Sequence, residues 1–284
     1  MIVFPNCKIN LGLIITGKRA DGYHNIETLF YPVHLNDALE IISATSPGDL
    51  SPPLFSHSGT KIEGEEKDNL CIKAWHLLKK DFPRLPAVKM HLHKTIPIGA
   101  GLGGGSADGA FTLISLNENY ALGLTDDQLL SYALQLGSDC PFFIINKPCI
   151  ATGRGEILQP VNVQLPGYRM IIVNPRIHIN TGWAFSRLSI VTGEFTQNSS
   201  PPEPLQTIIS GPVSHWKGKL INDFEIPVFK RYPEIKSIKA SFYEQGALFA
   251  AMSGSGSSVF GIFDNNTLPS FDFPENYLLQ NILL

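Results

Sequence analysis

Pro97-Ile98-Gly99-Ala100-Gly101-Leu102-Gly103-Gly104-Gly105-Ser106-Ala107 is the stretch on which the fold turns. Ahead of it, Val88, Met90 and Leu92 alternate with Lys89, His91 and His93, the period-2 pattern of a half-buried strand. Behind it, Ala110, Phe111, Leu113, Ile114, Leu116 and Leu122 recur at helical spacing, which predicts a helix over residues 107–122 with Ser106 at its N-cap. A strand, a glycine run and a helix in that order expose backbone amides at a helix start. Glycines let a ligand approach closely, and the helix dipole adds positive potential, so the segment is an anion site that needs few lysines.

Gly99, Gly101 and Gly104 also satisfy G-x-G-x-x-G, the dinucleotide-binding spacing. That fingerprint requires a crossover strand with an acidic residue about 20 positions on, whereas two helical patterns follow here in succession. No Lys-Ser or Lys-Thr follows the glycines, so the Walker pattern is absent, and the protein-kinase signatures are missing too.

Working outward, Thr125-Asp126-Asp127-Gln128 forms a capping box for a helix that stops at Gly137. This leaves Asp139 in the loop Gly137-Ser138-Asp139-Cys140-Pro141, before an apolar run at 142–145 that reads as a strand. Upstream, Asp68 is placed to cap a helix over 69–80, whose buried stripe is Leu70, Trp75, Leu77 and Leu78. Residues 3–16 read as a strand with Ile9, Leu11 and Leu13 on one face and Lys8, Asn10 and Gly12 on the other. A loop at 17–24 presents Tyr23 and His24, strands follow at 28–35 and 38–44, and the Ser/Pro/Gly-rich stretch 45–64 reads as an exposed excursion.

In the C-terminal half the pattern gives a strand pair around Gly153-Arg154-Gly155 and a strand at 168–173. A polar loop at 196–204 and helices at 203–210, 223–232 and 234–245 come next. Two strands, 247–252 and 258–263, then flank Ser253-Gly254-Ser255-Gly256-Ser257. We place a boundary near Pro160, giving domains 1–159 and 160–284.

The 284 residues, 43% hydrophobic and 17% charged, describe a folded globular protein. A net charge of −3 argues against a broad nucleic-acid-binding face, so an anionic ligand must be held locally. No apolar stretch is long enough for a membrane span, and the first residues lack the marks of a signal peptide, so the expected location is cytoplasmic. Cys7, Cys71, Cys140 and Cys149 have no zinc or dithiol spacing and read as reduced, buried thiols. His91 and His93 form a His-x-His pair with no third ligand in view, so they are not assigned to a metal.

The longer pattern Pro-x-x-x-Gly-Leu-Gly-x-Gly-Ser-Ala resembles the GHMP kinases, a family of small-molecule kinases. So do Lys8-Ile9-Asn10-Leu11, Arg19-Ala20-Asp21-Gly22-Tyr23-His24, Gly137-Ser138-Asp139-Cys140-Pro141, Asn222-Asp223-Phe224-Glu225 and Met252-Ser253-Gly254-Ser255-Gly256, all in the family's order. The resemblance implies a two-domain α/β (α+β) fold. Its N-terminal domain is like domain 2 of ribosomal protein S5, and its C-terminal domain is ferredoxin-like. It also implies ATP with Mg2+, a monomer or homodimer, and neither nucleic acid nor membrane as partner.

The first two of those motifs, together with Gly-Leu-Gly-Gly-Gly-Ser, are similar to the branch of the family whose substrate is a cytidyl diphosphate sugar alcohol. On that resemblance Asp139 is the catalytic base and Lys8 its partner. Residues 97–107, Asn69 and Lys94 serve ATP, and Asn10, Tyr23, His24, Phe30 and Phe185 serve the substrate. No protein ligand for the metal is singled out, although Ser106 is within the phosphate loop. Another GHMP kinase, of mevalonate or homoserine type, is the alternative enzyme, and an RNA-binding module on the same N-terminal fold is the non-enzyme reading. Two departures stand out: Gly109 occupies a position usually held by alanine, and Pro269 and Pro274 interrupt the tail where the family runs a helix.

Overall fold

The computed structural model describes residues 1–44, 52–62, 64–195 and 203–284. In chain order its strands are β1 (Ile2–Val3), β2 (Asn6–Lys18), β3 (His24–Asn36), β4 (Ala38–Ser43), β5 (Leu54–Gly59), β6 (Val88–Lys94), β7 (Cys149–Thr152), β8 (Ile157–Pro160), β9 (Tyr168–Asn174), β10 (Phe249–Met252), β11 (Val259–Asp264) and β12 (Leu278–Leu283). The α-helices are α1 (Leu70–Asp81), α2 (Gly104–Asn119), α3 (Asp126–Leu136), α4 (Cys140–Ile145), α5 (Thr181–Phe195), α6 (Leu205–Ile209), α7 (Glu225–Arg231) and α8 (Pro233–Glu244). Mixed helix and strand content agrees with the expected fold class.

By its internal contacts the chain groups into two compact units. The first comprises Met1–Cys7, His34–Ile98 and Gly103–Lys147; the second comprises Lys8–Val33, Gly99–Leu102 and Pro148–Leu284. In the first, four strands pair in the order β1-β4-β6-β5, with β5 parallel to β6 and the other pairs antiparallel. The alternation expected around Met90 holds residue by residue, since Val88, Met90 and Leu92 are buried while Lys89, His91 and His93 are exposed. Leu39, Ile41, Met90 and Leu92 from the sheet pack with Trp75 and Leu78 of α1 and Leu113 and Leu116 of α2. That core fixes the helix at whose start the glycine run ends.

In the second unit, one sheet runs β2-β3-β7-β8 and another β10-β11-β9-β12. The core here joins Ile171 and Val173 of β9 to Val228, Ile235, Ile238 and Phe242 of the helices and to Met252, Val259 and Phe263 of β10 and β11.

Several local readings are corrected. The apolar run 142–145 is helical, not extended: Pro141 sits in the first turn, where its fixed φ suits a helix, and Phe142 and Phe143 are both buried. Asn69, not Asp68, caps α1: its side chain accepts the Cys71 amide at 2.8 Å, while Asp68 pairs with Lys73 at 3.0 Å. Helix α2 starts at Gly104 with Gly103 as its N-cap in the left-handed region (φ 72°), so Ser106 lies inside the first turn. The stretch 45–64 contains strand β5, and helix α5 has no counterpart among the sequence expectations. Residues 45–51 and 63 of the excursion, and 196–202 of the polar loop, lie outside the described residues.

The capping box at Thr125 and Gln128 is present, with Gly137 as the C-cap. All four cysteines are buried thiols outside any disulfide. No helix among the described residues is long and apolar enough to cross a membrane. The tail has no helix after β11. Instead β12 pairs antiparallel with β9, and Phe271, Phe273 and Tyr277 pack against the second unit's core.

Candidate active site

The glycine run is built by backbone demands. Gly99, Gly101 and Gly103 all adopt positive φ, between 64° and 78°, a region that side chains with a Cβ avoid. In the second unit, the Gly101 carbonyl accepts from Ser253 Oγ at 2.8 Å and from Lys8 Nζ at 3.3 Å. Ser258 N donates to Ala100 O at 3.1 Å and Lys8 N to Leu102 O at 2.9 Å. The run is thereby stitched to β2 and to the turn between β10 and β11. Ala100 and Leu102 are buried, so any contact they make with a ligand runs through the backbone.

Lys8 and Asn10 are both buried on β2, as are Ile9 and Leu11 on the opposite face. Lys8 Nζ donates to Asn10 Oδ1 at 2.6 Å and lies 4.8 Å from the centre of the Phe30 ring. Asn10 Nδ2 donates to Thr28 Oγ1 at 2.9 Å, and Thr28 Oγ1 in turn donates a hydrogen bond to Gly12 O at 2.5 Å. This chain fixes the Asn10 amide with its oxygen toward the lysine. Phe30 is 1% exposed and forms the floor beneath the Lys8 ammonium. It supports that cation from below, not from the surface.

His24 opens β3 and stacks on Phe185 of α5, with ring centres 4.8 Å apart and planes 15° from parallel. Phe185 in turn meets Phe224 edge-on at 4.9 Å. Burial, and secondarily Lys18, hold the His24 pKa below its ordinary value, so the imidazole is neutral at pH 7 and offers one donor and one acceptor. Tyr23 is 56% exposed beside it.

The Asn222-Asp223-Phe224-Glu225 motif holds the C-terminal turn. Asn222 Nδ2 donates to Met252 O at 2.7 Å and to Gly254 O at 2.9 Å, Asp223 accepts Ile15 N at 2.7 Å, and Glu225 accepts Met252 N at 2.9 Å.

In the first unit, a cavity of about 320 Å³ opens at the start of α2. Asn69, Lys94, Ile98 and Gly105, four of the positions assigned to ATP, line it together with Phe55, His57 and Leu70. At its back is a buried cluster that sequence reading missed. Lys94 Nζ donates to Asp37 Oδ2 and, at 2.7 Å, to Asp108 Oδ2. Asp37 Oδ1 accepts the amides of Thr95 at 2.6 Å and Ile96 at 2.8 Å, anchoring the backbone just before Pro97. Burial pushes the Asp108 carboxyl up to about 7 against the pull of Lys94, and Asp37 adds to the rise. The two carboxylates in turn raise the pKa of Lys94 despite its burial, so the lysine is charged.

Asp139 stands at the N-cap position of α4 in helical conformation, without a capping hydrogen bond. Burial drives the Cys140 thiol up to about 12; Ser106 bonds to that thiol, and the Asp139 charge acts on it. Ser106 and Asp139 therefore both border Cys140.

Two family models match the chain: GHMP kinases N terminal domain over residues 69–147 and GHMP kinases C terminal over 214–270. A 4-diphosphocytidyl-2-C-methyl-D-erythritol kinase of Bacteroides fragilis (strain YCH46) is 50% identical over 285 residues, covering 100% of both chains. A crystal structure of 4-(cytidine 5'-diphospho)-2C-methyl-D-erythritol kinase superposes with a TM-score of 0.72 at 29% identity, covering 92% of this chain and 89% of that one. The mevalonate kinase of Methanococcus jannaschii, at 14% identity and a TM-score of 0.69 over 100% of this chain and 98% of its own, shares the fold. The fold is that of a GHMP kinase, an ATP-using enzyme. Within that class the chain belongs to the 4-diphosphocytidyl-2-C-methyl-D-erythritol kinase family.

Proposed function

We infer that the chain transfers the γ-phosphoryl group of ATP to the tertiary 2-hydroxyl of 4-diphosphocytidyl-2-C-methyl-D-erythritol, a step of the non-mevalonate route to isoprenoid precursors, with ADP as the second product. The observation that carries the reading is the cavity at the start of α2, lined by four residues assigned to ATP from the sequence. The half-identical relatives supply the substrate.

Phosphoryl transfer asks a protein to position its reactants and to stabilise charge. Residues 97–107 cradle the phosphates with backbone amides at the start of α2, and Asn69 and Lys94 border the nucleoside. Asp139 accepts the hydroxyl proton as the new oxygen–phosphorus bond forms and the bond to the ADP oxygen breaks. Lys8, aimed by Asn10 and backed by Phe30, supplies positive charge to the transferring group. The neutral His24 reads the cytosine edge, and Tyr23 and Phe185 offer ring faces for stacking.

Among the described residues no group of three or more His, Cys, Asp or Glu side chains is arranged to hold a metal. Such a site suits Mg2+ carried in by the nucleotide phosphates and water, with the Ser106 hydroxyl of the phosphate loop as a protein oxygen donor. When bound, the ion neutralises charge on the phosphate oxygens. We place the reaction in the cytoplasm, where its ATP is supplied, and assign the chemistry to domains 1–159 and 160–284 of a monomer or homodimer.

ADP release measured in parallel with the cytidyl substrate, mevalonate and homoserine tests the assignment. Turnover is expected with the cytidyl substrate; faster turnover with either alternative would overturn it. Asp139→Asn is expected to lower kcat at least a thousandfold while ATP affinity stays within about threefold, because a general base acts in the reaction and not on the nucleotide. Substantial residual activity would place the base elsewhere.

A further inference from the structure

Tyr23 is held in an unusual setting for so exposed a ring. The Arg154 guanidinium lies over one of its faces, 4.8 Å from the ring centre. Arg154 occupies a tight turn between β7 and β8, in which Gly153 and Gly155 both take positive φ (70° and 109°) and Gly155 N closes the turn onto Thr152 O at 3.0 Å. Glu156 fastens this turn. Its carboxylate accepts the Arg154 amide and lies 3.7 Å from Arg154 Nε, and a Cβ on Gly153 would come within 2.7 Å of it.

The loop bearing Tyr23 is fastened separately. Arg19 N donates to Tyr23 O at 2.8 Å, Tyr23 N donates to Asp21 Oδ1 at 3.1 Å, and Arg19 forks onto Asp21. The two turns are joined by one bond, from Ile26 N to Gly153 O at 2.7 Å. The charge of Arg154 also reaches Asp21, whose carboxyl is held below its ordinary pKa by Arg19 first and by Arg154 in smaller part. Two loops braced in this way place a cation over one face of a ring that is 56% exposed, which points to the opposite face of Tyr23 as the one to receive a planar group.

We propose that Arg154 is a positioning residue for the cytosine end of the substrate site, clamping Tyr23 from behind so that its outer face is presented to the base. The proposal rests on the substrate-side reading of Tyr23 given above. Because Arg154 acts through the ring, its effect belongs to recognition of the cytidyl substrate and not to the nucleotide or the transfer step. The turn is compact, and the side chain is partly exposed, so its removal leaves the core untouched.

The test is steady-state kinetics with ATP and 4-diphosphocytidyl-2-C-methyl-D-erythritol on Arg154→Ala, Arg154→Lys, Tyr23→Ala and the Tyr23→Ala/Arg154→Ala pair. An exposed cation–π contact corresponds to about a two- to fivefold change. Arg154→Ala is expected to raise KM for the cytidyl substrate by about that factor, with KM for ATP and kcat both within about twofold of the parent. Arg154→Lys recovers most of the loss, and removing Arg154 adds nothing once Tyr23 is gone. An unchanged cytidyl KM in Arg154→Ala, an equal penalty with and without Tyr23, or a parallel rise in the KM for ATP would each overturn the proposal while leaving the role of Tyr23 standing. An unchanged cytidyl KM in Tyr23→Ala would remove the substrate-side reading of that residue, and the clamp with it.

Discussion

At Gly101 the absence of a side chain is a packing requirement. A Cβ there would stand 1.9 Å from the Ser253 carbonyl oxygen, and the residue's φ of 78° is itself costly for anything but glycine. Gly105, four positions on, has nothing within 4 Å of its virtual Cβ. Gly101→Ala is therefore expected to lower kcat/KM at least a hundredfold, whereas Gly105→Ala, inside α2 with room for a methyl, folds with a melting temperature at or above that of the parent; equal behaviour of the two in a thermal melt and ADP-release assay would contradict the geometry. Asp108 gives a second residue-scale expectation. Burial raises its folded pKa to about 7 from the ordinary carboxyl value of 3.8, so between those values the folded state holds a proton that the unfolded chain releases. Stability from this group is thus full below the lower value and is lost as pH rises through about 7. The orphaned Oδ1 of Asp108, which finds no partner, agrees with a carboxyl that retains its proton. Urea unfolding across that window should show stability falling with rising pH, and Asp108→Asn, which has no proton to lose, should flatten the slope. An unaltered slope in the variant would assign the titration to another group.

At the scale of elements, Gly109 reverses its sequence reading. In isolation, glycine in a helix costs about 1 kcal/mol relative to alanine, which makes Gly109 look like a weakness in α2. In the fold, a Cβ at Gly109 would meet Leu70 Cβ at 2.8 Å, because α1 crosses α2 there. Overpacking of that kind costs about 1–3 kcal/mol, so the clash outweighs the gain in propensity. Gly109→Ala is expected to lower the melting temperature by a few degrees in a calorimetric scan; a rise would show that α1 gives way. The same contrast marks what could be read from the sequence. The capping box of α3 and the alternation of β6 were legible because each is decided by neighbours in the chain. Helix α4 was not, since a short apolar run has no period of its own and Pro141 was the single local sign of a helix. The Asp37–Lys94–Asp108 cluster was hidden for a different reason. It depends on the β4–β6 register, which sets Ala38 opposite His93 and so brings Asp37 beside Lys94, and no local pattern encodes a register. Lys8, Asn10, Tyr23, His24 and Asp139 were visible as motifs. The partners Thr28 of Asn10 and Arg154 of Tyr23 were not, because those contacts join residues distant in sequence.

At the scale of the whole molecule, the proposed phosphate cradle of backbone amides would reconcile a net charge of −3 with an anionic ligand without a basic surface. The tail shows how the fold compensates for a missing element. Pro269 and Pro274 forbid a continuous helix, and the chain instead crosses the aromatic cluster of Phe242, Phe263, Phe271 and Phe273 before ending in β12. In the order β10-β11-β9-β12, that last strand covers β9, whose residues Met170 to Val173 are buried. Without β12 an apolar strand with unpaired amides and carbonyls becomes a sheet edge, the arrangement that templates pairing with another chain. Deleting residues 275–284 is therefore expected to lower the melting temperature by several degrees and to cause concentration-dependent association in light scattering. Adding Lys at position 171 would not separate the two effects, because Ile171 belongs to the core. Dilution does, since loss of packing persists at low concentration while edge pairing disappears. A truncated protein that stays monodisperse at high concentration with the parent melting temperature would mean that Phe271 and Phe273 alone suffice, and that β12 is an ornament of the sheet instead of its seal.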